Sequence, residues 1–389
     1  MADVPEDSLV DLLTEIIAQE TVNPPGNEST LASYFVERFK ASSVEFDIEL
    51  QEVQPGRPNV IVRAGDPAKR SLLLTGHMDV VPASADDWLG DPFELRREND
   101  RLIGRGTTDM KGALAAKLVA AETFFDDHDD TGEVILAFVV NEEVGGMGTE
   151  ALVEGGIEAD AAIIGEPTRL QVAIAEYGAV GYSLTVSGES GHSGRPDLAI
   201  NAIDGLRRVL DQVKPLDDDV RIDEHDLFTP GSTISITEIE GGLAHNVVPD
   251  KATAALDWRT LPDPDRGPEF FDEQLAEAIE DVSLDGDPID VEYEQEFFSS
   301  GSAVDPDAEI VEVTLAAARE AGIDADRTGF NAVSDARFLT QAGIPTLLFG
   351  PGSVEDDAHT VEESISIGEL QKTVETYRGI LDRFLLSAA

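Results

Sequence analysis

Apolar positions near the start of the chain recur at helical spacing. Residues 7–19, DSLVDLLTEIIAQ, carry one such stripe, and residues 29–40, STLASYFVERFK, carry a second after the break NPPGN. Further on, the pattern changes to short uninterrupted apolar runs at Val60–Val62, Leu72–Leu74, Val134–Val140, Ala161–Ile164 and Thr346–Phe349. Runs of this length read as buried strands. Between them lie helical stretches, notably KGALAAKLVAAETFF and DAEIVEVTLAAAREAG. Strands alternating with helices predict an α/β fold: a mostly parallel sheet flanked by helices.

From about Tyr177 the texture differs. YSLTVSG, STISITEIEGG and KATAALDWRT alternate like half-exposed strands, while AINAIDGLRRVLDQV and PEFFDEQLAEAIEDV read as amphipathic helices. The pattern predicts a main domain in two segments, 1–176 and 296–389, with a small α+β unit inserted over 177–295. A length of 389 residues agrees with two domains at roughly 150 residues each. The runs DDHDD (126–130) and DDD (217–219) read as solvated loops.

Charge narrows the function. The chain has 27 Lys and Arg against 79 Asp and Glu, a formal net charge of −52. This balance rules against non-specific binding to nucleic acid or an anionic membrane surface, both of which need a basic face, so partners are expected among small molecules, cations or proteins. Such charge destabilises a compact chain by self-repulsion unless salt screens it, and at about 1 M the screening length falls to roughly 3 Å. A halophilic, salt-rich cytoplasm is the expected setting. The N-terminus is acidic, with no signal-peptide pattern, and no apolar run reaches the roughly 18 residues of a membrane span. There is no cysteine, which excludes disulfides, thiolate ligands and cysteine nucleophiles.

The candidate chemistry gathers where the buried runs end. SLLLT leads into GHMD (His77, Asp79), EVILAFVV into NEE (Glu142, Glu143), AAII into GEPT (Glu166), and PTLLF into a loop that reaches DAHT (His359). In open parallel sheets ligands bind outside the carboxyl ends of the strands, so these groups are expected along one edge. Imidazole and carboxylate without sulfur suit zinc, cobalt or manganese in a catalytic site. GRGTTDMKG adds Asp109, a carboxylate able to bridge two ions about 3.5 to 4 Å apart. That loop lacks the Gly-Lys-Ser/Thr ending of a phosphate cradle, and no Gly-x-Ser-x-Gly elbow of a serine hydrolase is present.

Taken in order, LLLTGHMDVVP, WLGDPFELRRENDRLIGRGTTDMKG, NEEVGGMGTE, IIGEPT, SGHSGRPDLAINAI and DDAHTVEE resemble the M20 metallopeptidase and deacylase family along nearly the whole chain. The resemblance implies two divalent ions, zinc first and cobalt or manganese as alternatives. It implies His77 and Glu166 on one ion, Glu143 and His359 on the other, and Asp109 between them. Asp79 then accepts the second ring N–H of His77, and Glu142 is the general base. It further implies an inserted lid that forms a homodimer, with His192 stabilising the oxyanion and Asn246 and Arg259 holding the substrate carboxylate. His245 reads as structural, and His128 and His225 as solvent-facing.

The implied reaction is hydrolysis of the amide of a small N-acyl amino acid. The motifs suit succinyl-diaminopimelate desuccinylation first, with acetylornithine deacetylation or another deacylase or dipeptidase activity as alternatives. An alternative of another class is a binding protein that captures a carboxylate without catalysis. It would be expected to have lost Glu142 or a metal ligand, and all of these positions are filled here.

Overall fold

A computed structural model describes residues 5–221, 225–280, 282–284 and 287–386. They cluster into two compact units: Met1–Ala175 with Ala303–Phe330 and Ser334–Ala389, and Glu176–Ser302 with Asn331–Val333.

The first unit opens with the helices Glu6–Ile17 and Ser29–Lys40. The second of these buries Leu31, Ala32, Phe35 and Phe39, a stripe at helical spacing, and its rings reach Phe138 on the sheet. The sheet runs in the order Asp47–Gln54, Arg57–Ala64, Gly132–Val139, Asp66–His77, Ala161–Ile164, Thr346–Leu348, Val172–Glu176. Its four central strands, from Gly132–Val139 to Thr346–Leu348, are mutually parallel, and antiparallel strands flank them. The parallel strands are buried on both faces, as their uninterrupted apolar composition requires.

Strand Asp66–His77 is where the chain order reverses. The next parallel strand, Gly132–Val139, lies on one side of it, and the one after that, Ala161–Ile164, lies on the other. Crevices form outside the carboxyl ends of strands at such switch points. Helix Gly112–Asp127, made mostly of alanine and other apolar residues, packs so closely that even Lys117 is fully buried. The Lys117 ammonium donates to the carbonyls of Thr75 and Ile163, tying two of these strands together near their carboxyl ends.

The second unit holds an antiparallel sheet in the order Thr233–Gly241, Lys251–Thr260, Gly178–Ser187, Asp290–Ser299. Helices Ala202–Arg221 and Pro268–Ile279 contribute Leu206, Val209, Phe271 and Leu275 to a core with Tyr182, Leu184, Leu256 and Trp258. Strand Asp290–Ser299, which a boundary at 295/296 divides, pairs along its length with Gly178–Ser187.

The triplet 217–219 is not a solvated loop. It lies in helix Ala202–Arg221, where Asp217 turns inward and accepts the N–H of Ile234 at 2.8 Å. His128 and His225 are half-buried rather than solvent-facing. His128 Nε2 lies 3.2 Å from Asp382, and the His225 ring sits 5.0 Å from that of Phe228. His245, read as structural, is exposed.

Candidate active site

Parallel register delivers the site's first side chains together. Thr75 pairs with Ile164 and His77 with Val139, so His77, Glu166 and the Glu142–Glu143 pair leave neighbouring strand ends at similar height. Asp109 comes from the turn Thr107–Lys111 that precedes helix Gly112–Asp127, and His359 from the loop beyond Thr346–Leu348.

His77, Asp109 and Glu143 offer ligand atoms within 4.8 Å of one another. His77 Nε2 lies 3.0 Å from Asp109 Oδ1. On the other side of the same carboxylate, His359 Nε2 lies 3.3 Å from Asp109 Oδ2 and 3.0 Å from Glu143 Oε2. Asp109 therefore touches one imidazole with each of its oxygens. Glu166 is buried nearby, and its carboxyl feels the charges of Asp109, His77, Asp335 and Glu143.

Electrostatics in this cluster are those of anions crowded out of water. Burial, with Glu166, Asp335 and Glu143 adding to it against the pull of His77, pushes the Glu142 carboxyl well above the ordinary range. Burial pushes Glu166 well up and Glu143 up as well, Asp109 adding in each case. Burial also opposes ionisation of Asp109, but its two imidazole partners outweigh it and hold this carboxyl below the usual range. Contacts with Asp109 and Glu143 push His359 up to about 10. Burial by itself would lower His77, yet Asp109, Glu142 and Asp79 raise it well above an ordinary histidine. Glu143 Oε1 and Glu166 Oε1 are buried with no hydrogen-bond partner.

Asp79 works differently from the sequence expectation. The His77 ring nitrogen Nδ1 meets the backbone carbonyl of Asp79 at 2.8 Å, while the carboxylate is 3.7 Å away. A carbonyl can only accept, so Nδ1 carries the proton and Nε2 is left facing Asp109. The fully buried Asp79 carboxylate instead accepts the N–H groups of Glu142 at 3.1 Å and Glu143 at 3.2 Å, and the amide of Asn23 at 2.8 Å.

Other groups that sequence reasoning missed hold the same turn. Glu28, fully buried and paired with Arg57, accepts the N–H of Asn141 at 3.3 Å. Arg337 donates to the carbonyl of Gly145 at 3.0 Å, and Asp335 accepts from Thr149 at 2.6 Å. Gly146 adopts φ +84 where any Cβ would lie 2.4 Å from Asp335 Oδ1, so a side chain is excluded there. Glu28 and Arg337 act on backbone atoms, which leave no residue-type signal; the glycines after NEE were the trace of this packing in the sequence.

The remaining candidates lie in the inserted unit. His192 is exposed and sits in a two-residue strand, Gly191–His192, opposite Val247. Asn246 is also exposed, and its carbonyl accepts the N–H of Ser193 at 3.1 Å. Arg259 is half-buried and forks onto Asp257 at 2.8 and 3.1 Å.

The sequence profile described as Peptidase family M20/M25/M40 matches residues 73–383. The chain belongs to peptidase family M20. Similar M20 relatives include succinyl-diaminopimelate desuccinylase of Thioalkalivibrio sulfidiphilus, 29% identical with 97% of this chain and 99% of the relative covered. Acetylornithine deacetylase of Vibrio atlanticus is 30% identical over 90% of each chain. A pyrimidine deformylase of Halalkalibacterium halodurans, acting on N-formyl-4-amino-5-aminomethyl-2-methylpyrimidine, is 29% identical over 96% of this chain and 93% of its own. Among solved structures, a tripeptidase of Staphylococcus aureus superposes with a TM-score of 0.80 at 20% identity, covering 98% of this chain and 99% of the other.

This M20 protein is an enzyme, a hydrolase from a family that cleaves amide bonds. M20 enzymes are di-metal hydrolases, and the donor set fits such a pair. Buried carboxylate oxygens without partners and acids crowded at one point are the arrangement that divalent cations would relieve. Among the described residues no helix is long and apolar enough to cross a membrane.

Proposed function

We propose that the protein removes the acyl group from a small N-acyl amino acid, with N-succinyl-diaminopimelate as the first substrate and acetylornithine the second. The observation that carries the reading is Asp109, whose two carboxylate oxygens face His77 and His359 separately. His77 with Glu166, and Glu143 with His359, would hold one ion each, with Asp109 shared. Zinc is the first choice, cobalt or manganese the alternatives. Bound there, two divalent ions supply Lewis acidity: they acidify a water and polarise the scissile carbonyl.

The protein's own groups do the rest. Glu142, outside the ligand set, takes the water's proton and passes it to the departing amine. Asp79 fixes the backbone of Glu142 and Glu143, so that one carboxylate is held for proton transfer while the next is held for metal. His192 would stabilise the oxyanion, and Asn246 and Arg259 would hold the substrate carboxylate. The relatives named for desuccinylation and for deacetylation support an N-acyl amino acid as the substrate class.

The inserted unit is proposed as a lid and homodimer interface. Its edge strand Thr233–Gly241 exposes Ile236 and Ile239 at 46% and 62%, surface that a second copy would cover. A cytoplasmic, salt-rich setting is part of this reading, and the net charge of −52 supports its salt-rich half. The test is amine release across a panel of N-succinyl, N-acetyl and N-formyl amino acids and free di- and tripeptides, with zinc, cobalt or manganese in about 2 M KCl, conditions of short screening length. Turnover of the succinyl or acetyl substrates supports the reading; release only from free peptides would replace it with a peptidase. Sedimentation at the same salt reads the dimer.

A further inference from the structure

Glu363 has no part in the ligand or general-base assignments, yet its carboxylate is 1% exposed and fully engaged. One oxygen accepts the N–H groups of Thr108 at 2.8 Å and Asp109 at 3.0 Å. The other accepts the N–H of Gly106 at 3.0 Å and the Arg105 guanidinium at 2.6 Å. The carbonyl of the same residue accepts the N–H of Gly104 at 2.9 Å. A single carboxylate thus gathers three N–H groups of the loop that presents Asp109.

Other bonds hold the ends of that loop, Arg105 N–H to Pro92 and Lys111 N–H to Gly106 among them, but Glu363 takes three of its N–H groups. Gly106 sits at φ +87, and Asp109 and Met110 depart from helical φ/ψ, so the N–H groups of 106, 108 and 109 are not used in a regular helix. Converging backbone N–H groups form a nest that favours an anion. Glu363 supplies that anion from within the chain, and Arg105 supplies the counter-charge that a buried carboxylate needs. Glu363 also follows His359 by four residues. It therefore ties the loop carrying Asp109 to the segment carrying His359, and these two side chains meet at 3.3 Å.

We propose that Glu363 is a positioning residue: its carboxylate fixes the backbone of Asp109, and through it the carboxylate that faces both His77 and His359. This rests on the two-metal reading above. An amide in its place would turn an NH2 group toward backbone N–H or guanidinium donors, so Glu363→Gln is isosteric yet wrong on one side of the nest.

The experiment titrates metal-free protein with Co(II) in high salt, reading both affinity and the visible absorption that reports ligand geometry. Wild type, Glu363→Gln and a control, Asp217→Ala in the inserted unit, are compared, with Tm measured for each. For Glu363→Gln we expect cobalt binding weakened about 10- to 100-fold, the size of effect seen when partners of metal ligands are removed. The absorption band should also change shape, and kcat at saturating metal should fall with KM nearly unchanged. The control should lose Tm but keep the wild-type affinity and band.

Wild-type affinity and band in Glu363→Gln would overturn the proposal. So would a loss that the control matches at equal Tm. If Glu363→Gln yields no folded protein, Arg105→Lys, which keeps the charge and the carboxylate but loses the guanidinium's hydrogen-bond geometry, is titrated instead. There a severalfold weakening with a changed band supports the proposal, and unchanged binding overturns it. A wild-type chain that binds no cobalt would instead overturn the two-metal reading, and this inference with it.

Discussion

The carboxylate of Asp79 accepts the backbone N–H of Glu142 at 3.1 Å. Its second oxygen serves Glu143 in the same way, at 3.2 Å. The strand end that carries His77 thereby fixes the turn that carries the two glutamates. Asp79→Asn keeps the shape but leaves one donor facing another, a loss of roughly 1 to 3 kcal/mol for a buried group. The expected result is a fall in kcat of about 10- to 100-fold with both ions still bound at saturating metal, in the range seen for partners of ligands. Steady-state kinetics and metal content check it; wild-type kcat would remove Asp79 from the positioning role.

His77 and His359 sit on opposite oxygens of Asp109, so each should govern a different ion. His77→Ala and His359→Ala are each expected to retain about one ion per chain where wild type holds two, the number a bridged two-metal site requires. Elemental analysis after gel filtration reads this directly. Unchanged stoichiometry in both variants would mean that the ligands lie elsewhere.

How much of this was legible in the sequence depended on which atoms do the work. Strands buried on both faces announced themselves as apolar runs, so Ala161–Ile164 and its parallel neighbours were readable. Strand Asp47–Gln54 was not, because it lies at the sheet edge and buries none of its residues fully, leaving the sequence DIELQEVQ without a pattern. Strand Asp290–Ser299 hid its register in the same acidic texture, and the expected boundary at 295/296 falls inside it. In the site, His77, Asp109 and His359 stood out as residue types with chemistry. Glu363 did not: among 79 acidic residues a buried one looks like a solvated one, and its partners are mostly backbone N–H groups. The role of Asp79 turned on a carbonyl at 2.8 Å against a carboxylate at 3.7 Å from His77, a distinction that residue identity does not encode.

Asp217 links stability to pH in the inserted unit. Burial alone would raise its carboxyl, but Arg221, the N–H of Ile234 and Lys214 together hold it below the usual range. A depressed carboxylate stabilises the fold above its unfolded pKa, about 3.9, and that contribution is lost as pH falls through the folded value. Arg221 and Lys214 are themselves 41% and 61% exposed, so solvent screening discounts their share of the effect. Asp217→Ala should cost roughly 1 to 3 kcal/mol at pH 7. The gap from wild type should shrink below about pH 4, where wild type also loses the charge. Urea midpoints across pH measure it; a gap that widens on acidification contradicts the assignment.

Salt should stabilise the chain. With 79 acidic against 27 basic residues, screening removes far more repulsion than attraction. Lowering KCl from about 2 M to 0.01 M lengthens the screening distance from about 3 Å or less to roughly 30 Å. Tm should fall steadily along that series, followed by circular dichroism. A Tm that is flat or rises at low salt would count against a salt-rich setting.

The division of labour between two adjacent glutamates is the central claim, and Glu142→Gln tests it most directly. Glutamine keeps the size of the side chain and cannot take a proton, while Glu143, His77, Asp109, Glu166 and His359 are untouched. Metal content and kcat should be measured on the same preparation, with the best substrate of the acyl-amino-acid panel. The expected result is two ions bound and kcat reduced by about 10²-fold or more, the contribution of a general base. Near-wild-type turnover by a variant holding both ions would contradict the account.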